Sequence, residues 1–235
     1  GRGTIHRALL PRRARRSHAP TFVRPAANER ITDPHAFGVP YRSLTARLKR
    51  WSRMKESLKN IRHLSLAELE SYFETIGEKK FRVKQVHEWL WQKHAHSFDD
   101  MTNLSKELRA KLASDFSFPA LTVNTTQFSD DGTVKSRFKT YDGHKVEGVL
   151  IPTEERLTAC VSSQVGCSLS CKFCATGYMD KKRNLVYDEI YDEVVLLNQQ
   201  AIKMHDKKLT NIVFMGMGEP LLNYKNVLKA IDRLI

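Results

Sequence analysis

One short segment holds every cysteine of this chain, and it constrains the fold more than any other feature. The 235-residue sequence places all four cysteines within TACVSSQVGCSLSCKFCATG, between Thr158 and Gly177: Cys160, Cys167, Cys171 and Cys174. The last three have the spacing C-x3-C-x2-C, and disulfide-bridged loops that short are strained. Clustered cysteines also differ from the dispersed framework of small secreted domains. The segment therefore predicts a metal or redox site in a reducing compartment.

Two kinds of inorganic site fit these thiols. Structural zinc usually takes four ligands, most often from two separated Cys or His pairs. Here the fourth thiol, Cys160, lies seven residues upstream of Cys167, within a predicted strand. An iron–sulfur cubane held by three cysteines leaves one iron open to a ligand from outside the protein. The thiols alone favour a cluster over zinc and leave both possibilities open.

The positive charge of the chain is confined to its first quarter. The net charge is +13, and residues 1–62 hold 16 Lys or Arg against 3 Asp or Glu, whereas residues 63–235 hold 23 of each. Residues 1–58 also contain five of the eight prolines. This composition predicts a basic, disordered tail. An organelle transit segment and an RNA-contacting arm are the alternatives.

Hydrophobic periodicity and turn chemistry divide the rest of the sequence into three predicted parts. Residues 59–118 form a helical accessory domain, in which Ser65 and Glu68 begin the first helix with an S-x-x-E capping box. Residues 119–156 form a small antiparallel β unit, because Asp-Gly pairs separate runs of alternating residues. Residues 157–235 alternate strand, loop and helix, which is the beginning of a (β/α) barrel.

The fold class predicted from these parts is α/β. Apolar stripes predict three accessory helices, marked by Leu66, Leu69, Phe73 and Ile76, by Phe81, Val86, Trp89 and Leu90, and by Leu104, Leu108 and Leu112. The predicted strands and barrel helices are Leu121–Phe128, Val134–Tyr141, Lys145–Ile151, Leu157–Ser162, Tyr187–Met204, Leu209–Met215 and Asn223–Ile235. Two βα units cannot cover both faces of a parallel sheet, so we expect a partial barrel from a truncated, longer protein.

The cysteine loop lies where α/β barrels carry their chemistry, after a strand and before a helix. Phe173 directly precedes the third cysteine of the loop, where its ring could pack on a cofactor base. The next strand ends in MGMGEP, in which Gly218 lets the backbone approach a ligand and Glu219 could accept a hydrogen bond from an amino group. The alternative for MGMGEP is an ordinary turn from strand to helix.

These motifs together resemble a known enzyme family. The C-x3-C-x2-C loop with its aromatic residue and the GEP strand end resemble the radical S-adenosylmethionine (radical SAM) enzymes. The longer strings CVSSQVGCSLSCKFCATG, RNL and VFMGMGEPLLNY are similar to one subfamily, the RlmN/Cfr-type adenosine methyltransferases of ribosomal RNA. The resemblance extends from about Ile61 to the end. It implies that Cys167, Cys171 and Cys174 hold a [4Fe-4S] cluster, which chelates SAM, and that Gly218 and Glu219 contact that SAM.

The resemblance further implies methylation of carbon 2 of an adenosine in 23S ribosomal RNA and in transfer RNA. In this family a 5′-deoxyadenosyl radical activates a methyl group carried on a protein cysteine, and a transient disulfide bond releases the product. Cys160 matches the upstream partner of that disulfide, and Glu147 matches a proposed proton acceptor. Because no cysteine follows Cys174, the methyl-carrying cysteine is missing, and we expect the chain as given to be inactive in methyl transfer.

Several expectations accompany this interpretation. Carbon 8 of adenosine is the alternative target, and a zinc-stabilised, non-catalytic nucleic-acid-binding protein is the alternative from another class. An electron donor such as flavodoxin or ferredoxin is expected, as is a monomer. With no apolar run of roughly 18 residues, we expect a soluble, cytoplasmic protein without membrane contact, or an organellar one if the tail is a transit peptide.

Individual charged residues also have predicted roles. Partial desolvation of Glu147 in its strand could raise its pKa, and a solvated carboxylate is the alternative. The candidates for RNA phosphate contacts, which could equally be solvated, are Lys84, Lys93, Arg109 and Lys181–Arg183. The histidines expected at the surface, without a metal, are His87, His94 and His96.

Overall fold

The computed structural model describes residues 58–235, so the predicted basic tail of residues 1–58 lies outside the described residues except for Leu58. The helices are α1 (Leu66–Thr75), α2 (Lys80–Trp91), α3 (Lys106–Asp115), α4 (Tyr187–His205) and α5 (Tyr224–Leu234). The strands are β1 (Thr122–Phe128), β2 (Val134–Lys139), β3 (Lys145–Pro152), β4 (Leu157–Cys160), β5 (Gln164–Val165), β6 (Arg183–Asn184) and β7 (Asn211–Val213). None of these helices combines the length and apolar character needed to cross a membrane.

The accessory helices form as their caps and stripes predict, with two exceptions. The Ser65 hydroxyl accepts from the Glu68 N–H at 3.2 Å, and the Glu68 carboxylate accepts from the Ser65 N–H at 2.7 Å, which confirms the capping box. Most predicted stripe residues, such as Phe73 and Leu112, are buried. Leu66 and Phe81 are instead half exposed, because each lies in the first turn of its helix, Leu66 as the first residue of α1 and Phe81 as the second residue of α2.

The antiparallel strands and the barrel strands belong to one continuous sheet. The strand order is β1-β2-β3-β4-β7, antiparallel up to β4 and parallel between β4 and β7. Across this sheet Val149 pairs with Cys160, which in turn pairs with Val213. The two barrel strands are shorter than predicted. Backbone hydrogen bonds nevertheless continue past their ends, since the Val161 N–H donates to the Val213 carbonyl at 2.9 Å.

Helix α4 lies between the sheet and the accessory helices. Its predicted apolar face packs on the sheet, where Ile190 and Leu197 are fully buried with β-strand residues such as Phe138. The opposite side carries Tyr191 and Val195, which belong to the core of the accessory helices. One helix therefore closes two hydrophobic cores, a role that a single apolar stripe does not predict.

A buried ion pair joins the accessory helices to α4. The Arg62 guanidinium donates to the two Asp192 carboxylate oxygens at 2.5 and 3.0 Å, and lies 3.4 Å from Asp188. Asp192 also accepts from the Leu121 N–H at 3.0 Å. The His63 ring contacts the Asp188 carboxylate at 3.2 Å. Although burial opposes it, the hydrogen bond to His63 and the charge of Arg62 hold the pKa of Asp188 below its ordinary value.

Candidate active site

The three-cysteine loop is closed at its base by a two-stranded ribbon. Strands β5 and β6 pair antiparallel, with Gln164 opposite Asn184 and Val165 opposite Arg183. The loop between them contains Cys167, Cys171 and Cys174 and begins shortly after β4. The sequence did not reveal this ribbon, because two-residue strands separated by a long loop have no periodicity to detect.

Two glycines allow the loop to fold this tightly. Gly166 has φ +76°, and a Cβ there would lie 2.1 Å from the Asp180 carbonyl oxygen. A Cβ on Gly177 would lie 2.5 Å from the Cys171 carbonyl oxygen. The Cys174 N–H donates to the Cys171 carbonyl at 3.1 Å, and the Gly177 N–H donates to the Cys174 carbonyl at 2.9 Å. Successive backbone contacts therefore keep the cysteines in one compact turn.

All four cysteines are half-buried free thiols, so none is disulfide-bonded in this structure. Within residues 58–235, no three His, Cys, Asp or Glu side chains converge as a single metal ion would require. In a four-iron cluster each cysteine binds a different iron, so its thiols do not meet at one point. The donor set of three accessible thiols on one tight loop fits that larger group.

Cys160 and Glu147 lie on the same face of the sheet. Cys160 pairs with Val149, and Glu147 is two residues before Val149 on β3 and thus points to the same side. Burial, together with the charge of Glu193, raises the pKa of the Cys160 thiol, against a backbone hydrogen bond from Met215 that favours the thiolate. Glu147 forms an ion pair with Lys135 at 2.7 Å, and its side chain is 40% exposed. This environment is that of a solvated, paired carboxylate.

The GEP strand end docks against the base of the cysteine loop through Gln164. The Gln164 amide oxygen accepts from the Glu219 N–H at 3.0 Å, and its amide nitrogen donates to Asn184 at 2.8 Å. Gly218 has φ +93°, and a Cβ there would lie 2.4 Å from the Gln164 Cβ. Gln164 is fully buried. Sequence reasoning missed it, since a single glutamine carries no pattern.

The structure brings most of the predicted site residues to one end of the sheet but leaves Phe173 apart. The Glu219 carboxylate accepts from the Leu221 N–H at 3.0 Å and is partly exposed. The Phe173 ring is 94% exposed and packs against no core residue of the described chain. Its predicted contact with a cofactor base therefore remains a prediction.

A buried carboxyl group lies behind this end of the sheet. Glu193 of α4 accepts from the Ser162 N–H at 3.0 Å, and its second oxygen has no hydrogen-bond partner in the described residues. Burial raises the pKa of Glu193 well above the ordinary value; the Ser162 hydrogen bond partly opposes this shift, and the nearby Glu189 adds to it.

The basic residues singled out from the sequence have varied environments. Arg183 donates to Asp142 at 2.6 Å and to Glu189 at 2.7 Å, so two carboxylates already occupy its guanidinium. Arg109 donates to the Asp99 carbonyl at 2.8 Å. The ammonium of Lys93 lies 4.7 Å from the centre of the Trp89 ring. The side chains of Lys84 and Lys181 are exposed.

The prediction of a surface histidine was wrong for His94. This residue has φ +54°, and its Nδ1 atom lies 2.8 Å from the Tyr191 hydroxyl. The half-buried ring thus joins the contact between α4 and the accessory helices, and burial lowers its pKa. His87 is half-buried as well, whereas His96 is exposed, as expected.

Family models match two segments of the chain. Residues 59–117 match the ribosomal RNA large subunit methyltransferase N-terminal domain. Residues 161–234, which contain the cysteine loop, match the radical SAM superfamily. The accessory helices and the segment with the cysteine loop thus each match a family model, and residues 118–160 lie between the two matches.

Individual proteins resemble the chain over three quarters of its length. A probable dual-specificity RNA methyltransferase RlmN of Cytophaga hutchinsonii is 60% identical over 75% of this chain and 48% of its own length. The dual-specificity RNA methyltransferase RlmN of Anaeromyxobacter sp. is 44% identical over 75% and 48%. The crystal structure of a radical SAM methyltransferase from Sphaerobacter thermophilus matches with a TM-score of 0.67 and 41% identity, over 75% of this chain and 52% of that one.

The chain spans about half the length of the curated relatives it matches. The shared sequence includes the cysteine loop, and the shared fold confirms the predicted α/β class. In both sequence and fold the chain therefore matches one part of the RlmN-type radical SAM methyltransferases, from the accessory helices through the cysteine loop.

Proposed function

We propose that this chain provides the cluster-binding and SAM-binding part of an enzyme that methylates carbon 2 of adenosine in ribosomal and transfer RNA. The observation that carries the proposal is the position of the three-cysteine loop. It begins after β5, a few residues beyond the end of β4, and its base is hydrogen-bonded to the GEP turn through Gln164. The relatives' printed description, dual-specificity RNA methyltransferase, supports RNA as the substrate.

Cys167, Cys171 and Cys174 would hold a [4Fe-4S] cluster, and Gly218 and Glu219 would contact SAM. When bound, the cluster supplies the electron that starts radical chemistry on SAM. The protein positions the two groups: the tight glycine turns fix the thiols, and the Gln164 hydrogen bond fixes the Glu219 backbone.

Cys160 and Glu147 would accept protons from the adenosine. Both point to the side of the sheet that α4 does not cover. Because its pKa is raised, the Cys160 thiol is protonated at neutral pH. Once it is deprotonated, its thiolate is a stronger base and can take up a proton from the adenosine. Cys160 would also be the upstream member of the transient disulfide. Flavodoxin or ferredoxin would be the electron donor, and the protein would act as a monomer.

The test is anaerobic reconstitution with iron and sulfide, followed by metal analysis and EPR of the reduced protein with and without SAM. We expect about four irons per chain, as in a cubane, and a spectrum that SAM perturbs. Cys171→Ser should lose most of the iron, whereas the matched Cys160→Ser variant should retain it. Tight zinc without sulfide, and a Cys160 thiol protected from alkylation, would instead establish the non-catalytic zinc protein.

A further inference from the structure

One face of strands β2 and β3 is basic and is not covered by the described helices. Alternate residues of β2, such as Phe138, are buried against α4, so the residues between them point to the other side. We call this other side the basic face, and define it by four residues: Lys135, Arg137, Lys139 and Lys145. Three of them are exposed and Arg137 is half-exposed.

The charge of the basic face is only partly balanced. Its one carboxylate in β2 and β3 is Glu147, which pairs with Lys135. Arg137 stands opposite Glu147 in the strand register, but within residues 58–235 it donates only to uncharged groups, to Asn124 at 2.9 Å and to Thr125 at 3.1 Å. A guanidinium held in this way remains a full positive charge.

Lys139 and Lys145 form a pair of like charges on this face. They stand directly opposite each other in the antiparallel register. Like charges in that position destabilise a sheet, and neither lysine has an ion-pair partner within residues 58–235. An anion lying over both ammonium groups would remove the repulsion.

The basic face is continuous with the proposed catalytic residues. Lys135 pairs with Val149, which pairs with Cys160, so the three lie in one row across the sheet. Neighbouring strands are about 4.8 Å apart, which puts Lys135 roughly 10 Å from Cys160 on the same side.

The end of the face that carries Lys139 and Lys145 is tied to the cysteine loop. The turn that joins these two residues contains Asp142, which accepts from Arg183 of β6 at 2.6 Å. The base of the cysteine loop and the two opposed lysines therefore adjoin through this ion pair.

We propose that the basic face binds phosphates of the substrate RNA beside the target adenosine. This inference rests on the proposed function and specifies where the RNA lies. RNA fits better than a protein partner, because the centres of protein interfaces are depleted in charged residues. Uncharged neighbours such as Thr125 and Gln127, which pair with Arg137 and Lys135, can also donate to phosphate or sugar oxygens.

The first test measures RNA affinity by fluorescence anisotropy, with the whole chain and a short RNA stem–loop that has an unpaired adenosine. The variant is Lys139→Gln with Lys145→Gln, and the matched control is Lys207→Gln with Lys208→Gln, two exposed lysines beyond α4. Both variants lose the same charge, so any contribution of residues 1–57 cancels. Two lost phosphate contacts should reduce the slope of log affinity against log salt by about 1.4–1.8. The control should keep the slope of the parent chain, and equal changes in the two variants would overturn the proposal.

The second test locates the RNA by chemical acetylation of lysines, read by mass spectrometry with and without the same stem–loop. We expect RNA to protect Lys139 and Lys145 but not Lys207 and Lys208. Protection of Lys84, Lys93 or Lys181 alone would overturn the basic face while leaving RNA binding intact. Protection of Lys139 and Lys145 without RNA would mean that protein covers the face, which also overturns the proposal.

The two proposals can fail separately. A chain that assembles a SAM-responsive cluster but shows no RNA-dependent protection of Lys139 and Lys145 keeps the proposed chemistry and loses the basic face. A chain that binds zinc without sulfide loses the proposed function, whatever its affinity for RNA.

Discussion

The two faces of the central sheet contrast sharply, although the same strands build both. Phe138 and Lys139 are consecutive in β2, yet Phe138 is fully buried under α4 and Lys139 is exposed on the basic face. The covered side carries the hydrophobic core, and the open side carries Cys160, Glu147 and the unbalanced lysines. The period of two along a strand thus separates the residues that stabilise the fold from those available for chemistry.

The largest expected difference between the faces is in stability. Phe138→Ala should lower the free energy of unfolding by ~3–5 kcal/mol, because it leaves a cavity in the core. Lys139→Ala, one residue later, should change it by no more than about 0.5 kcal/mol. Urea unfolding followed by circular dichroism measures both. Similar losses for the two variants would mean that something other than α4 determines which face is protected.

The contact between α4 and the accessory helices depends on a buried charge, which one substitution removes. Arg62→Ala should cost ~3–5 kcal/mol, since it leaves the buried Asp192 and Asp188 carboxylates without their cation. The matched control is Lys59→Ala, which removes an exposed ion pair with Glu68, 2.8 Å long. Its midpoint of thermal unfolding should stay near that of the parent. The melting temperatures of the two variants, measured by circular dichroism, test this difference. If the two variants melt alike, the ion pair does not hold the accessory helices on α4.

A subtler difference concerns the pH dependence of stability on the covered face. Glu193 has a raised pKa, so its contribution is complete below the pKa of an unfolded glutamate and is lost as the pH rises toward the folded value. Glu193→Gln keeps the acceptor for the Ser162 N–H but cannot ionise. An unfolded glutamate has a pKa of about 4.3 and is therefore mostly ionised above pH 5. We expect the melting temperature of the parent to fall more between pH 5 and pH 8 than that of Glu193→Gln.

The matched control for that measurement is Glu70→Gln, an exposed glutamate of α1. Its melting temperature should follow the parent at both pH values. Parallel pH profiles for the parent and Glu193→Gln would show that Glu193 ionises normally in the folded protein.

Local patterns predicted the elements well where the stabilising contacts are themselves local. The Ser65 capping box and the Asp-Gly turns each act within a few residues, and the helix and hairpins they predict are present. The apolar stripe of α4 likewise identified its sheet-facing side. The stripe did not reveal that Asp188 and Asp192 of α4 are buried too. Their partner Arg62 is distant in sequence, 130 residues from Asp192.

The amino-acid sequence by itself determined the element types, the α/β class and the presence of a three-thiol loop at a strand end. Those properties depend on periodicity and on short motifs, which neighbouring residues settle. Only the tertiary structure decided that the antiparallel strands continue the barrel sheet, that Gln164 joins the GEP turn to the cysteine loop, and that Lys139 faces Lys145. These depend on strand register and long-range packing, where a shift of one residue moves every side chain to the opposite face.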